Sequence, residues 1–246
     1  MQHFKADLHT HTVLSPCGSL EMAPMQIIDK ACEQNIDLLG ITDHNSTLMC
    51  KIMHQAACEK GIAILPGAEV TTKEEVHCLA FFETWDQLDE FQKYLDAHLP
   101  PIKNDPTKFG YQVIVNQDEE ILDEKEFLLI SALDQSIEQV EAKVHELGGL
   151  FIPAHIDRTA NGLIAQLGFI PPGIKADAME LSKFTTFDEY VKMQPILTQY
   201  PVIRSSDAHF IDNIGDATTV LYMNECSFDE FKKALENEGE RKVIVS

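Results

Sequence analysis

Five times in this chain an apolar run of strand length ends in histidine or a carboxylic acid. Phe4 to Leu8 leads into His9-Thr10-His11, and Asp37 to Thr42 leads into Asp43-His44. Ile62 to Leu65 leads towards Glu69, Leu150 to Ala154 into His155-Ile156-Asp157-Arg158, and Val202 to Ser206 into Asp207-Ala208-His209. Helical patterns separate the first three runs. Met25, Ile28, Ala31 and Cys32 share one face behind Pro24, and residues 47–60 form a second helix that Gly61 stops. A strand–helix–strand rhythm predicts parallel strands with right-handed crossovers, and such sheets bind ligands at their C-terminal ends. Separate elements therefore bring imidazoles and carboxylates to one face. His9 and His11, two apart on a strand, point the same way and form half of a metal site.

The remaining segments continue the pattern with one interruption. Val76 to Phe82 reads as a strand carrying His77, and Asp86 is the expected N-cap of an amphipathic helix that Pro100-Pro101 ends. Residues 101–110 read as a loop. Between 111 and 133 two apolar pieces flank the acidic turn Asn116 to Glu120, predicting a hairpin or excursion at about 100–133. A helix over 135–147, a strand over 178–181 and a strand over 220–223 follow. Thr186/Glu189 and Ser227/Glu230 have capping-box spacing for two more helices, the first reaching about Tyr200 unless Pro195 restarts it. Val243-Ile244-Val245 is the closing strand. No repeat or linker divides the chain, so 1–246 reads as a single α/β domain, a barrel of about seven strand–helix units.

Totals narrow the partners. Lys and Arg number 19 against 40 Asp and Glu, a net charge of −21, which argues against a broad surface for duplex nucleic acid. No stretch approaches the roughly 18 apolar residues of a membrane span. The six cysteines contain no CxxC pair. With no secretion signal, they read as reduced thiols of a cytoplasmic protein, most of them packed in the core.

His9, His11, His44, Glu69, His77, His155, Asp207 and His209 all lie on strands or at strand ends. One zinc site takes three or four ligands, so this set predicts more than one ion, and mixed His and carboxylate donors suit Zn, Mn or Fe. The runs DLHTHTVLSPCG, ITDHNST, PGAEVTT with EEVHCLAF, PAHIDR and SSDAH resemble, in order, the motifs of the PHP (polymerase and histidinol phosphatase) family. The resemblance runs from residue 5 to about 215. It implies a distorted (βα)7 TIM-like barrel with two or three divalent transition-metal ions at the C-terminal face of its strands. It also implies hydrolysis of phosphate esters, and it carries the family's ligands onto those eight residues. One departure stands out: Pro16 occupies a position where many members have a metal-binding Asp. Cys17 and Glu21 are the candidate replacement donors in that loop; if neither ligates, one metal position stays unfilled.

The implied substrate is a small phosphorylated metabolite or nucleotide, with short oligonucleotides still open, attacked by a hydroxide bridging two ions. In that scheme Asp207 or His209 moves a proton, and Asp43 supports a metal-bound imidazole from behind. Arg158 and Arg204 bind the phosphate. A metal-dependent amide or lactone hydrolase and a non-catalytic metal-binding regulatory domain are the alternatives.

Overall fold

The structure, a computed structural model, describes residues 1–244. The chain begins β1 (Gln2–Thr10), α1 (Pro24–Glu33), β2 (Leu38–Ile41), α2 (Cys50–Cys58), β3 (Ala63–Thr71), β4 (His77–Phe81) and α3 (Trp85–His98). A short turn of helix, α4 (Pro106–Phe109), falls within the expected loop and precedes the hairpin β5 (Val113–Val115) and β6 (Ile121–Glu124). Then come α5 (Ile137–Glu146), β7 (Leu150–Pro153), α6 (Leu163–Leu167), β8 (Met179–Leu181), α7 (Phe187–Met193), β9 (Val202–Arg204), β10 (Thr219–Met223), α8 (Phe228–Leu235) and β11 (Lys242–Ile244). Val245 of the expected closing strand lies outside the described residues. No helix among the described residues is long and apolar enough to cross a membrane.

Helix starts follow local chemistry. Thr84, not Asp86, caps α3: its hydroxyl accepts the Gln87 backbone N–H while the Gln87 side chain returns to the Thr84 backbone. Ser136/Gln139 and Thr186/Glu189 form the same reciprocal box on α5 and α7. α7 stops at Met193, and Pro195, which cannot donate to the preceding turn, restarts the chain as a 3-10 turn, Pro195–Gln199. Ser227 caps α8, but the Glu230 side chain turns away to Arg241 and Asn224. All six cysteines are free; Cys50 and Cys78 are buried and Cys226 half-buried, while Cys17, Cys32 and Cys58 are exposed, against the expected core packing of most.

β1, β2 and β3 pair in parallel, as the rhythm predicts. β4 does not: it runs antiparallel to both β3 and β7. Only five residues separate β3 from β4 (Thr72-Lys73-Glu74-Glu75-Val76), too few for a crossover helix. The reversal has a consequence for the site. His77 stands at the start of β4, opposite Thr71 at the end of β3, so it shares the face of the other strands' C-termini.

The sheet curls into a distorted barrel. On one side Asp177 donates to the Phe151 carbonyl (2.9 Å) and Ile156 to that of Glu180 (2.9 Å), joining β7 to β8, which pairs in parallel with β9. On the other, Ala208 donates to His9 (3.3 Å) and His11 to Ala208 (3.0 Å), joining the end of β9 back to β1. β10 and β11 lie beyond β1, antiparallel, outside this ring. Strand residues alternate between two cores. Leu8, Leu38, Leu65, Leu79, Phe81, Ile152, Ala178 and Ile203 fill the barrel, whereas Leu39, Ile41, Ala68, Val70, Phe151 and Met179 meet the helices. Phe231 of α8 packs edge-on against Phe81 at 6.5 Å between ring centroids, closing the end opposite the site.

β1 carries an irregularity that aims the opening histidines. Asp7 lies opposite Leu39, but Thr10 lies opposite Ile41, so β1 has one extra residue between them. Ala6 and Leu8 face the barrel interior, and strict alternation would turn His9 outward. The bulge resets the phase, and His9 and His11 both face inward. The partner strand must come close there. A Cβ on Gly40 would sit 2.3 Å from the Leu8 carbonyl oxygen, so only glycine fits.

Candidate metal centre

Glu69 is the hub. It shares the inward parity of Leu65, four residues earlier on β3, and is buried. Its Oε1 lies 3.2 Å from His9 Nε2, 2.8 Å from His77 Nδ1 and 3.0 Å from His155 Nε2. Its Oε2 lies 3.3 Å from His11 Nε2 and 3.0 Å from His44 Nδ1. Asp207 approaches from β9's end, with Oδ1 3.4 Å from both His9 and His11 Nε2. His209 stacks on His11 at 4.0 Å between centroids, and its Nδ1 donates to the Asp207 carbonyl (3.0 Å).

A second set of side chains holds the imidazoles from behind. Glu180 Oε2 accepts from His9 Nδ1 (2.9 Å) and from the His155 backbone N–H (3.0 Å). His11 Nδ1 meets Ser15 Oγ (2.9 Å), and Ser15 donates to Asp43 Oδ1 (2.7 Å). Asp43 also accepts from the Thr12 backbone N–H and hydroxyl, both at 2.7 Å. Asp43 thus stands behind the His11 ring, reaching it through Ser15, and does not line the cavity. Asp7 ties down the opposite loop, accepting from Ser206 (3.0 Å) and Gly215 (2.9 Å).

Glu180 and Ser15 escaped the reading of the sequence. Glu180 had a signal: in Ala178-Met179-Glu180-Leu181 it shares the inward parity of Ala178, and a lone acid in an apolar strand needs a partner. Ser15 had none, since a serine in a turn-rich loop is ordinary.

The cluster's charges are strongly coupled. Burial opposes charge on His9, but the carboxylates of Glu180, Glu69 and Asp207 outweigh it and hold its pKa well above the usual range. His11 is likewise opposed by burial yet raised to about 9 by its bonds to Asp207 and Glu69. Glu69 is pushed well down, because His77, His9 and His44 together overcome its burial. Asp207 is also driven far down, with His9 and His11 overcoming burial. Burial dominates at His44 and His209, lowering the first to about 4 and the second to about 3.

These donors fit a cation cluster. Three overlapping groups each place ligand atoms within 4.8 Å of one another: His11, His44 and His209; His9, His11, Glu69 and Asp207; His44, Glu69 and His77. His9 and His11 Nε2 face each other at 3.2 Å. Buried His155 Nδ1 has no hydrogen-bond partner, and the 3.0 Å approach of His44 Nδ1 to Glu69 Oε2 lacks hydrogen-bond geometry, leaving both atoms unsatisfied. Buried polar atoms without partners are costly, and a cation among them satisfies several at once. Backbone strain marks the same place: His155 (φ 28°) and Asp207 (φ 52°) are left-handed, which costs a non-glycine residue of order 1–3 kcal/mol.

The cluster floors a cavity of about 450 Å³. Arg158 lines it and pairs with Asp207 Oδ2. Cys17 lines it too, but the exposed thiol belongs to none of the three groups, and Glu21 is exposed and outside the lining. Arg204 is also outside: its guanidinium donates to the Lys183 carbonyl (3.4 Å), and its backbone exchanges hydrogen bonds with Thr219 (2.8 Å each). The expectation that Arg204 meets the phosphate is therefore corrected, since β9 turns it towards β8 and β10.

Comparison with known proteins places the chain. A family model described as "PHP domain" matches residues 7–156, and one described as "PHP-associated" matches 198–238. The uncharacterised protein YqxK of Bacillus subtilis is 27% identical over all of this chain and 65% of its own length. The lesion-specific endonuclease Q of Pyrococcus furiosus superposes with a TM-score of 0.75 at 19% identity, over 98% of this chain and 58% of that one. A protein of Bifidobacterium adolescentis described as a metal-dependent phosphoesterase gives 0.53 at 17% identity over 83% and 87%. This chain thus spans less than two thirds of the first two. Another endonuclease Q structure (TM-score 0.74, 19% identity, 98% and 58% covered) holds a 27-mer duplex with an abasic lesion at its active site. That finding overturns the exclusion of duplex nucleic acid drawn from net charge. Charges farther away than the Debye length of about 8–10 Å are screened, so a whole-chain total says little about one face.

Proposed function

The chain belongs to the PHP domain family, and on that premise we propose that it is a metal-dependent phosphoesterase acting on a small phosphorylated metabolite or a nucleotide. The observation that carries this reading is the buried Glu69 carboxylate ringed by five imidazoles, with Arg158 and Asp207 paired at the cavity mouth. His9, His11, His44, Glu69, His77, His155, Asp207 and His209 are the proposed holders of two or three divalent ions of the Zn, Mn or Fe type. Such ions, when bound, lower the pKa of water towards neutrality and offset negative charge on a phosphoryl group.

The chain's own groups do the rest. Glu180 and Ser15 fix the His9 and His11 rings, so that each presents Nε2 to the centre. Arg158 offers a planar fork to the non-bridging oxygens of a phosphate, and Asp207 holds that fork in place. His209 donates its Nδ1 proton to the Asp207 carbonyl and is kept neutral by burial, which leaves its Nε2 lone pair to hold an ion.

The test is hydrolysis of mono- and diester p-nitrophenyl phosphates by purified protein, alongside an amide and lactone panel and elemental analysis. We expect phosphate ester cleavage that chelation abolishes and Mn, Zn or Fe restores. Full activity in chelated protein, or cleavage confined to amides or lactones, rejects the proposal.

A further inference from the structure

Two cavities meet at the acid–imidazole cluster. Cys17, Arg158, Asp207 and His209 line both the chamber of about 450 Å³ and a neighbour of about 320 Å³ on the side of the loops that follow β8 and β9. A phosphoryl group held by Arg158 at this junction has room on two sides. A monoester needs room for one substituent, whereas a diester needs it for two.

The walls of the second chamber differ from those of the first. Phe184 and Phe210 both line it, yet 78% and 56% of their surfaces are exposed. An exposed large ring beside a polar centre is a feature that packing does not explain. Neither ring hangs from a loose loop. The Phe184 backbone donates to Ser182 Oγ (3.2 Å), and Ser182 is anchored on Asp157 through its N–H (2.7 Å) and hydroxyl (2.6 Å). The Phe210 carbonyl accepts from Asn213 (2.9 Å), and Gly215, a little further on, is pinned to buried Asp7. Lys183 Nζ lies 5.8 Å from the centre of the Phe184 ring and 2.7 Å from Asp216, adding a cation to that wall. Aromatic rings carried on anchored backbone beside cationic groups are what a nucleobase joined to a phosphate requires.

We propose that the second chamber is a nucleobase subsite. The substrate is a phosphodiester with its phosphate at Arg158, a base against Phe184 and Phe210, and its other arm in the larger chamber. The proposal rests on the phosphoesterase reading and narrows its substrate. In the hydrolysis, a P–O bond forms to water's oxygen as the P–O bond to one ester oxygen breaks. The departing oxygen takes a proton, and no oxidant or reductant is needed.

The test compares phosphorothioate-linked thymidine dinucleotide with the same molecule lacking one base, by calorimetric binding to ion-loaded protein. The same pair of ligands within a longer single strand separates a free nucleotide from a polynucleotide as the base's source. We expect the base to tighten binding about tenfold, and Phe184→Ala or Phe210→Ala to remove that advantage while leaving metal content unchanged. Equal binding of the two ligands, or variants that keep the full preference, overturns the subsite. Hydrolysis of the natural dinucleotide with no base preference would do so while leaving the phosphoesterase standing. Base-dependent binding with no hydrolysis under any ion would reject the phosphoesterase and leave the subsite.

Discussion

One oxygen of Glu180 orders two strands of the site, accepting from His9 Nδ1 at 2.9 Å and from the His155 backbone at 3.0 Å. A carboxylate only accepts, so His9 carries its proton on Nδ1 and presents Nε2 to Glu69 and Asp207. The second bond, from the His155 backbone N–H, holds His155 where its backbone is left-handed.

Glu180→Gln keeps the shape and removes the charge. It is expected to weaken metal binding by about 10- to 100-fold, as partners behind metal-bound histidines do elsewhere. Competition with a chromophoric chelator measures this, and unchanged affinity would show that Glu180 only packs.

Metal binding is expected to release protons. In the metal-free protein His11 is raised to about 9, so it is charged at neutral pH and must lose a proton to become a ligand. Because its folded pKa lies above the ordinary value of 6.5, its stabilising effect is complete below about pH 6.5 and disappears as pH rises through about 9. Chelated protein should lose thermal stability over that window, and the loaded protein should not lose it there. Calorimetry of ion binding in buffers of differing ionisation enthalpy counts the protons; none released at pH 7 would contradict the assignment.

Arg158→Ala is expected to lower kcat/KM about 10- to 100-fold, from the loss of a charge-assisted hydrogen bond to phosphate. Most of the effect should fall on KM, with metal content unchanged. Arg204→Ala should leave KM where it was, because that guanidinium lies outside the cavity. The reverse result would exchange their roles.

Glu230 offers a test away from the site. Arg241 grips it through Nε (2.9 Å) and Nη2 (2.6 Å), and together with the Asn224 backbone holds its carboxyl down to about 2. A depressed acid stabilises above its unfolded pKa of about 4.5 and loses that effect as pH falls through about 2. Glu230→Gln should cost about 1–2 kcal/mol in urea unfolding at pH 7 and progressively less below pH 4.5, with activity unchanged. A cost independent of pH would point to packing instead.

What the amino-acid sequence determined by itself was the inventory and its side of the fold. Apolar runs ending in His, Asp or Glu are local patterns, and β/α alternation carries such ends to one face whatever the exact register. Helix caps were legible for the same reason, although Thr84 displaced Asp86 because the reciprocal bond to Gln87 satisfies two backbone donors at once. Tertiary structure decided the rest. The inward turn of His9 depends on a bulge in β1 and on the room left by Gly40, and His77 joins the centre because β4 runs backwards. Cys17 stays out of the donor groups although it is two residues from Ser15, which holds the His11 ring, and Arg204 turns away although it is three residues from Asp207. Strand direction, register and phase are set by hydrogen bonds between segments far apart in the chain, and no local periodicity encodes them.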